Sequence, residues 1–257
     1  MSLSIRFFAA ALCLLVLFAC QDSATPKEGS NGVGAPRAWS VDSELTQRYG
    51  NLPGPGKGVR EDNLDTRVEV CLRQEFVDQG IPSTWVAVCG NVLEASHSQG
   101  GWVDLLVFRG TRDSAKVVSE SSGWESGSFG EPGEVSLVRI GRARRAFVLS
   151  SVYTGLGDMI ESETWYSPDS AKLREVLSSQ VYFSNEGQLP CDEDSIGCRW
   201  ERRRLGIDSS DGLAETFPIA MEDSARLIGA FQTRKERILF QRDSGRYFLP
   251  EALLPNF

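Results

Sequence analysis

Trp85-Val86-Ala87-Val88-Cys89 and Trp102-Val103-Asp104-Leu105-Leu106-Val107-Phe108 are the two runs on which the fold is read. Both are short, rich in β-branched and aromatic residues, and separated by the polar turn Ser96-His97-Ser98-Gln99-Gly100-Gly101. Runs of this length and composition between turn residues are strands rather than helices, because branched and aromatic side chains pack well on a pleated surface. The same pattern continues over 135–140, 146–153, 159–166 and 181–183, and again over 199–205 and 237–242. Asp243-Ser244-Gly245-Arg246 followed by Tyr247-Phe248-Leu249 reads as a closing hairpin. Residues 171–177 could be helix or strand, since the apolar residues at 173, 176 and 177 fit neither period cleanly. Upstream, Leu64, Val68, Cys71, Leu72 and Phe76 are spaced four, three, one and four apart. That spacing predicts a helix over 62–78, with Asp62 or Asn63 as its N-cap and Gly80 and Pro82 closing it. The expected fold is therefore mainly β: an antiparallel sandwich or barrel-like domain over 59–257 with one N-terminal helix.

Residues 21–58 contain Thr25-Pro26, Gly34-Ala35-Pro36 and Pro53-Gly54-Pro55-Gly56, with few apolar side chains. Such a segment cannot offset its own ordering entropy and reads as a tether. Trp39, Val41, Leu45 and Tyr49 are the exception and form a potential docking segment. Before the tether, Arg6 precedes an apolar run from Phe7 to Phe18, and Leu17-Phe18-Ala19-Cys20 ends it. Twelve apolar residues are too few for a membrane-spanning helix, which needs about 20. Leu17, Ala19 and Cys20 resemble the lipobox of bacterial lipoproteins. The resemblance covers only residues 1–20, and Phe18 departs from the pattern. It implies cleavage before Cys20, diacylglycerol on the Cys20 sulfur and acylation of the new amine. It also implies a domain held on the outer side of a membrane, most simply the periplasmic side in a Gram-negative cell. Gln21 in place of Asp is compatible with sorting to the outer membrane.

The formal charge is −8, and removal of Arg6 with the leader leaves 26 basic against 35 acidic residues. That balance argues against nucleic-acid binding and against the domain lying flat on anionic lipid. Of six cysteines, Cys13 leaves with the leader and Cys20 carries lipid, so Cys71, Cys89, Cys191 and Cys198 remain. An even set in an oxidising compartment reads as two disulfides, and the local pairings Cys71–Cys89 and Cys191–Cys198 are favoured.

Several segments carry possible chemistry. Residues 121–134 are rich in Gly and Ser yet hold Trp124 and Phe129. Such rings can stack on sugars or anchor a partner, or they can fold back to plug one end of the fold. Arg139, Arg142, Arg144 and Arg145 surround one turn, and Arg202, Arg203 and Arg204 lie on one strand. These could grip phosphate or carboxylate groups of an envelope glycolipid or glycan, or be solvated edges paired with acids. Strand alternation puts Arg203 on the face opposite Arg202 and Arg204. The loop Cys191–Cys198 imitates part of a calcium loop through Asp192, Asp194 and Gly197, but Ile196 and Arg203 break it, so no metal is expected. Glu161 and Glu163 would stand about 7 Å apart on one side of a strand, a separation at which paired carboxylates can hydrolyse glycosides. His97 is the only histidine, and no complete triad, nucleophile elbow, zinc motif or nucleotide fingerprint accompanies it. No cofactor is expected. The reading is a non-enzymatic envelope lipoprotein that binds a protein, glycan or lipid partner or serves structurally. A hydrolase of glycan or ester using Glu161 and Glu163, or His97, is the alternative.

Overall fold

The computed structural model describes residues 40–56, 65–78, 80–111, 114–187, 198–227 and 230–250. Residues 38–257 cluster as one unit. A helix, α1 (Val41–Tyr49), is followed by β1 (Gly54–Gly56), β2 (Thr66–Asp78), β3 (Ile81–Val92), β4 (Gly101–Arg109) and β5 (Lys116–Ser126). Then come β6 (Glu134–Arg139), β7 (Arg145–Gly155), β8 (Asp158–Asp169) and β9 (Lys172–Ser184). The chain closes with β10 (Arg199–Ile207), β11 (Ile219–Leu227), β12 (Ala230–Ile238), β13 (Phe240–Gln241) and β14 (Arg246–Tyr247). The protein is mainly β, as expected, and the large sheet does not close into a barrel: among the described residues β1, β6 and β12 each pair with one strand only.

Three antiparallel meanders account for the topology: β2–β5, β6–β9 and β9–β12. The first joins the others through a single parallel pairing of β5 with β9, Glu120 opposite Lys172. The far end of β9 pairs with β10 at Tyr182–Ser184. The alternation in β3 and β4 sets the layers. Trp85, Ala87, Val103, Leu105 and Val107 share one face and meet Phe147 and Leu149 of β7, Tyr166 of β8 and Leu173 of β9. Burial of each large side chain here contributes about 1.5–3 kcal/mol, which makes this sandwich interface the main core. Val86, Val88, Trp102, Leu106 and Phe108 point the other way, beneath Val41 and Leu45 of α1. The outer face of β6–β9 is covered in turn: Ala146, Val148, Trp165 and Val176 pack against Ile219 of β11 and Tyr247 of β14.

The helix expected over 62–78 is instead the strand β2, and the reason is a β-bulge between Val70 and Leu72. Before the bulge Val68 lies on the α1 side; after it Leu72 and Phe76 lie on the sandwich side. One inserted residue reverses which parity faces the core. Apolar side chains at 68, 72 and 76 then imitate the spacing of a helix. The true helix, α1, lies within 20–58, the span expected to be linker. Ser40 caps it by accepting the Ser43 N–H at 3.1 Å, and the Ser43 hydroxyl accepts the Ser40 N–H in return. Of residues 171–177, all but Ala171 belong to the strand β9.

The helix is tied down by a polar contact as well as an apolar one. Asp104, in the centre of β4, is buried on the α1 side. Its carboxylate accepts the Tyr49 hydroxyl at 2.8 Å and the Gly123 N–H at 2.7 Å. Burial raises the Asp104 pKa above its ordinary 3.8, against the lowering effect of these hydrogen bonds and of Arg48. A native pKa above the unfolded one contributes stability that is complete below pH 3.8 and lost as pH rises through the native value. Asp104→Asn is therefore expected to flatten the fall of stability across that window, measured by urea unfolding from pH 3 upward. Tyr49→Phe removes a hydrogen bond to a charged acceptor and is expected to cost about 1.5–3 kcal/mol.

The Cys71–Cys89 disulfide is present. Cys198 is disulfide-bonded too, while Cys191 and the rest of the acidic loop lie outside the described residues. The same holds for Cys20 and the lipobox.

Candidate functional site

The segment expected to be one loop over 121–134 divides in two. Residues up to Ser126 belong to β5, so Trp124 is a strand residue. Its ring lies 4.5 Å from that of Tyr166, and its indole N–H donates to the Ser121 hydroxyl at 2.9 Å. Trp124 is thus a half-buried strand residue packed against the sandwich core rather than a ring on a free loop. The remaining loop, 127–133, is tightly built. The Gly130 N–H donates to the Gln99 carbonyl at 2.7 Å, and its own carbonyl accepts the Val92 N–H at 2.8 Å. A Cβ at Gly130, where φ is +78°, would stand 2.0 Å from the Val92 oxygen; at Gly127, with φ +80°, it would stand 2.1 Å from that of Glu131. Only glycine fits either position.

That scaffold holds Phe129 outward. The ring is 61 % exposed and its φ is +54°, a left-handed conformation that a bulky side chain adopts only when its surroundings impose it. His97 lies against it, with ring centroids 6.2 Å apart. Beside Phe129 opens a groove of about 760 Å³ with the Cys71–Cys89 disulfide in its wall. Leu93, half exposed, adds a second apolar group to the rim. Among the described residues, Glu69, Glu94, Glu131 and Glu134 line it against Arg67 alone, so that lining is acidic with an apolar edge.

The arginines do not form one cluster. At the β6–β7 turn, Arg144 lies 4.7 Å from the centre of the Phe240 ring and Arg145 3.8 Å from that of Phe76. These two cover aromatic rings by cation–π contact. Arg142 is exposed, and its backbone N–H donates to the Ala214 carbonyl at 2.8 Å. On β10 the alternation is as expected: Arg203 is buried, while Arg202 and Arg204 are exposed. Arg203 forms a bidentate pair with Asp223 of β11, at 2.8 and 3.0 Å.

The register of β10–β12 extends the exposed side into a ladder that inspection of β10 alone does not reveal. Trp200, Arg226 and Phe231 form one cross-strand row; Arg202, Ser224 and Thr233 the next; Arg204, Glu222 and Lys235 the third; Gly206, Ala220 and Arg237 the fourth. Register partners share a face. Within β10–β12, five cations thus stand with one acid on a single solvent-facing side; beyond it the Arg202 row continues through Tyr182, whose ring centre lies 5.3 Å from the Arg202 guanidinium, to Glu161 of β8. Lys235 pairs with Glu222 at 3.3 Å and Arg237 with Asp208 at 3.0 Å. Hydrogen bonds from Ser210 and then Arg237 hold the Asp208 carboxyl below its ordinary range. Among the described residues, no carboxylate lies within ion-pair distance of Arg202, Arg204 or Arg226.

Glu161 and Glu163 line a separate groove of about 470 Å³ with Glu131 and Glu134. Glu163 accepts the Trp165 indole N–H at 3.1 Å. No group of three or more metal-ligating side chains occurs among the described residues, and no helix among them is long and apolar enough to cross a membrane. No family model, curated protein or solved structure matches the chain.

Proposed function

We propose that this is a lipid-anchored, non-enzymatic protein of the cell envelope whose folded domain captures a partner protein through Phe129. The observation that carries the reading is the loop 127–133, whose glycines and backbone hydrogen bonds hold a large aromatic ring in solvent in a strained conformation. A ring that serves only the core has no need of that arrangement. A pre-positioned aromatic loses little entropy on binding and provides a large contact area. The acidic groove beside it favours a partner segment that combines apolar and basic side chains. The lipobox resemblance supplies the anchor at Cys20 and the outer face of a membrane as its setting.

The two halves are tested separately. A photo-crosslinking amino acid at Phe129 in living cells is expected to yield one discrete protein adduct, and the same probe at Leu213, also exposed, none. Adducts to glycan from Phe129, or no adduct at all, would remove the proposed partner class. Metabolic labelling with a fatty-acid analogue is expected to mark the wild type and not Cys20→Ala; equal labelling would remove the anchor while leaving the crosslink result intact.

A further inference from the structure

We propose that the outer face of β10–β12 is a second interaction surface, by which the domain docks on a bilayer containing anionic phospholipid. Arg202, Arg204 and Arg226 project from this face without acid partners among the described residues. Neighbours along a strand are about 7 Å apart and across strands about 5 Å apart, so the three guanidinium groups form a compact array. Guanidinium groups bind phosphate in forked, charge-assisted pairs. Sheet residues whose side chains all stand on one side present their charges at similar height, which suits a planar array of headgroups better than a single bound chain needing a cleft. At one end of the ladder Trp200 and Phe231 pack with ring centroids 6.0 Å apart, and Phe231 is 64 % exposed. Aromatic rings of this kind settle at the headgroup level of a membrane.

The overall charge of −8 argues against contact with anionic lipid through an arbitrary face, and so restricts the docking to this one. This face carries five cations against one acid on β10–β12, while the groove beside Phe129 is acidic. Screening at physiological salt confines attraction to charges within about 8 Å of the surface, so the local face governs contact. The bilayer within reach rests on the lipid-anchor reading above, whereas the charge geometry stands without it.

The test is co-sedimentation of the full, unlipidated chain with vesicles of phosphatidylcholine alone or with added phosphatidylglycerol. The readout is the ratio of binding to the two. The apolar run 7–18 is common to every variant and does not alter the comparison between them. The wild type is expected to prefer the anionic vesicles, and Arg202→Glu/Arg204→Glu/Arg226→Glu to reduce that preference about tenfold or more. Raising the salt should have the same effect. Arg109→Glu/Lys116→Glu/Lys172→Glu makes the same change of net charge at exposed positions elsewhere and should retain the preference, as should Phe129→Ala. Equal losses in both triple variants would reduce the effect to net charge and overturn the proposal. So would an absence of preference in the wild type, or binding of a soluble anionic polysaccharide or acidic protein in place of vesicles. The behaviour of Phe129→Ala keeps this result separate from that of the partner loop.

Discussion

Asp223→Ala is expected to lower the unfolding free energy by about 3–5 kcal/mol, the cost of leaving a buried charge without its partner. Asp223 is fully buried, and the Arg203 side chain is only 3 % exposed. The carboxylate receives both forks of Arg203 and a further bond from Arg234 at 2.5 Å. Arg234 keeps Glu236 at 3.3 Å when Asp223 is lost, so the penalty falls mainly on Arg203. Arg203 also donates to the Ser179 hydroxyl at 3.0 Å and the Pro250 carbonyl at 3.2 Å. It thereby ties β9 and the segment that follows β14 to β10. Urea unfolding of the single variant measures the loss. Arg203→Met combined with Asp223→Leu should recover most of it, since apolar side chains of similar size fill the site without a desolvated charge. A loss below about 1 kcal/mol in Asp223→Ala would mean that water reaches Arg203 and that the pair is not a structural centre.

Gly90→Ala is expected to cost about 3 kcal/mol or more, at or beyond the upper end of ordinary overpacking. Gly90 faces Trp102 directly across the β3–β4 pair, and a Cβ there would stand 1.9 Å from the indole ring. Trp102 is 4 % exposed, stacks on Tyr49 at 6.5 Å and belongs to the layer beneath α1. It cannot move without lifting the helix, so faster hydrogen exchange of the α1 amides should accompany the thermal destabilisation. In a Trp102→Leu background the same glycine substitution should cost much less, because the ring that clashes is gone. A neutral Gly90→Ala would show that the indole has room to turn aside.

Local composition was enough to identify the strands over 85–89, 102–108, 135–140, 146–153 and 159–166, because each run carries its own turn signals and branched or aromatic side chains. The favoured pairing Cys71–Cys89, one of three that the sequence allowed, is present, and the opposite facing of Arg203 follows from strand alternation. Among the features that did not, three are instructive. The β2 strand was disguised as a helix by one bulge, a feature whose energy lies in its pairing with β3 rather than in its own residues. The β11 strand was hidden because Asp223 occupies a core position, and a carboxylate there is tolerable only when Arg203 and Arg234 arrive from neighbouring strands. The basic ladder was invisible for a similar reason: Arg202 and Arg204 are two residues apart, whereas Arg226, Lys235 and Arg237 join them only through register. Net charge, a sum over the chain, says nothing of that segregation. The sequence by itself thus determined the fold class, since period and composition are local properties. Only the tertiary structure decided which rings are buried, which arginines are paired and where positive charge gathers, because those depend on hydrogen-bonded partners far away in the chain.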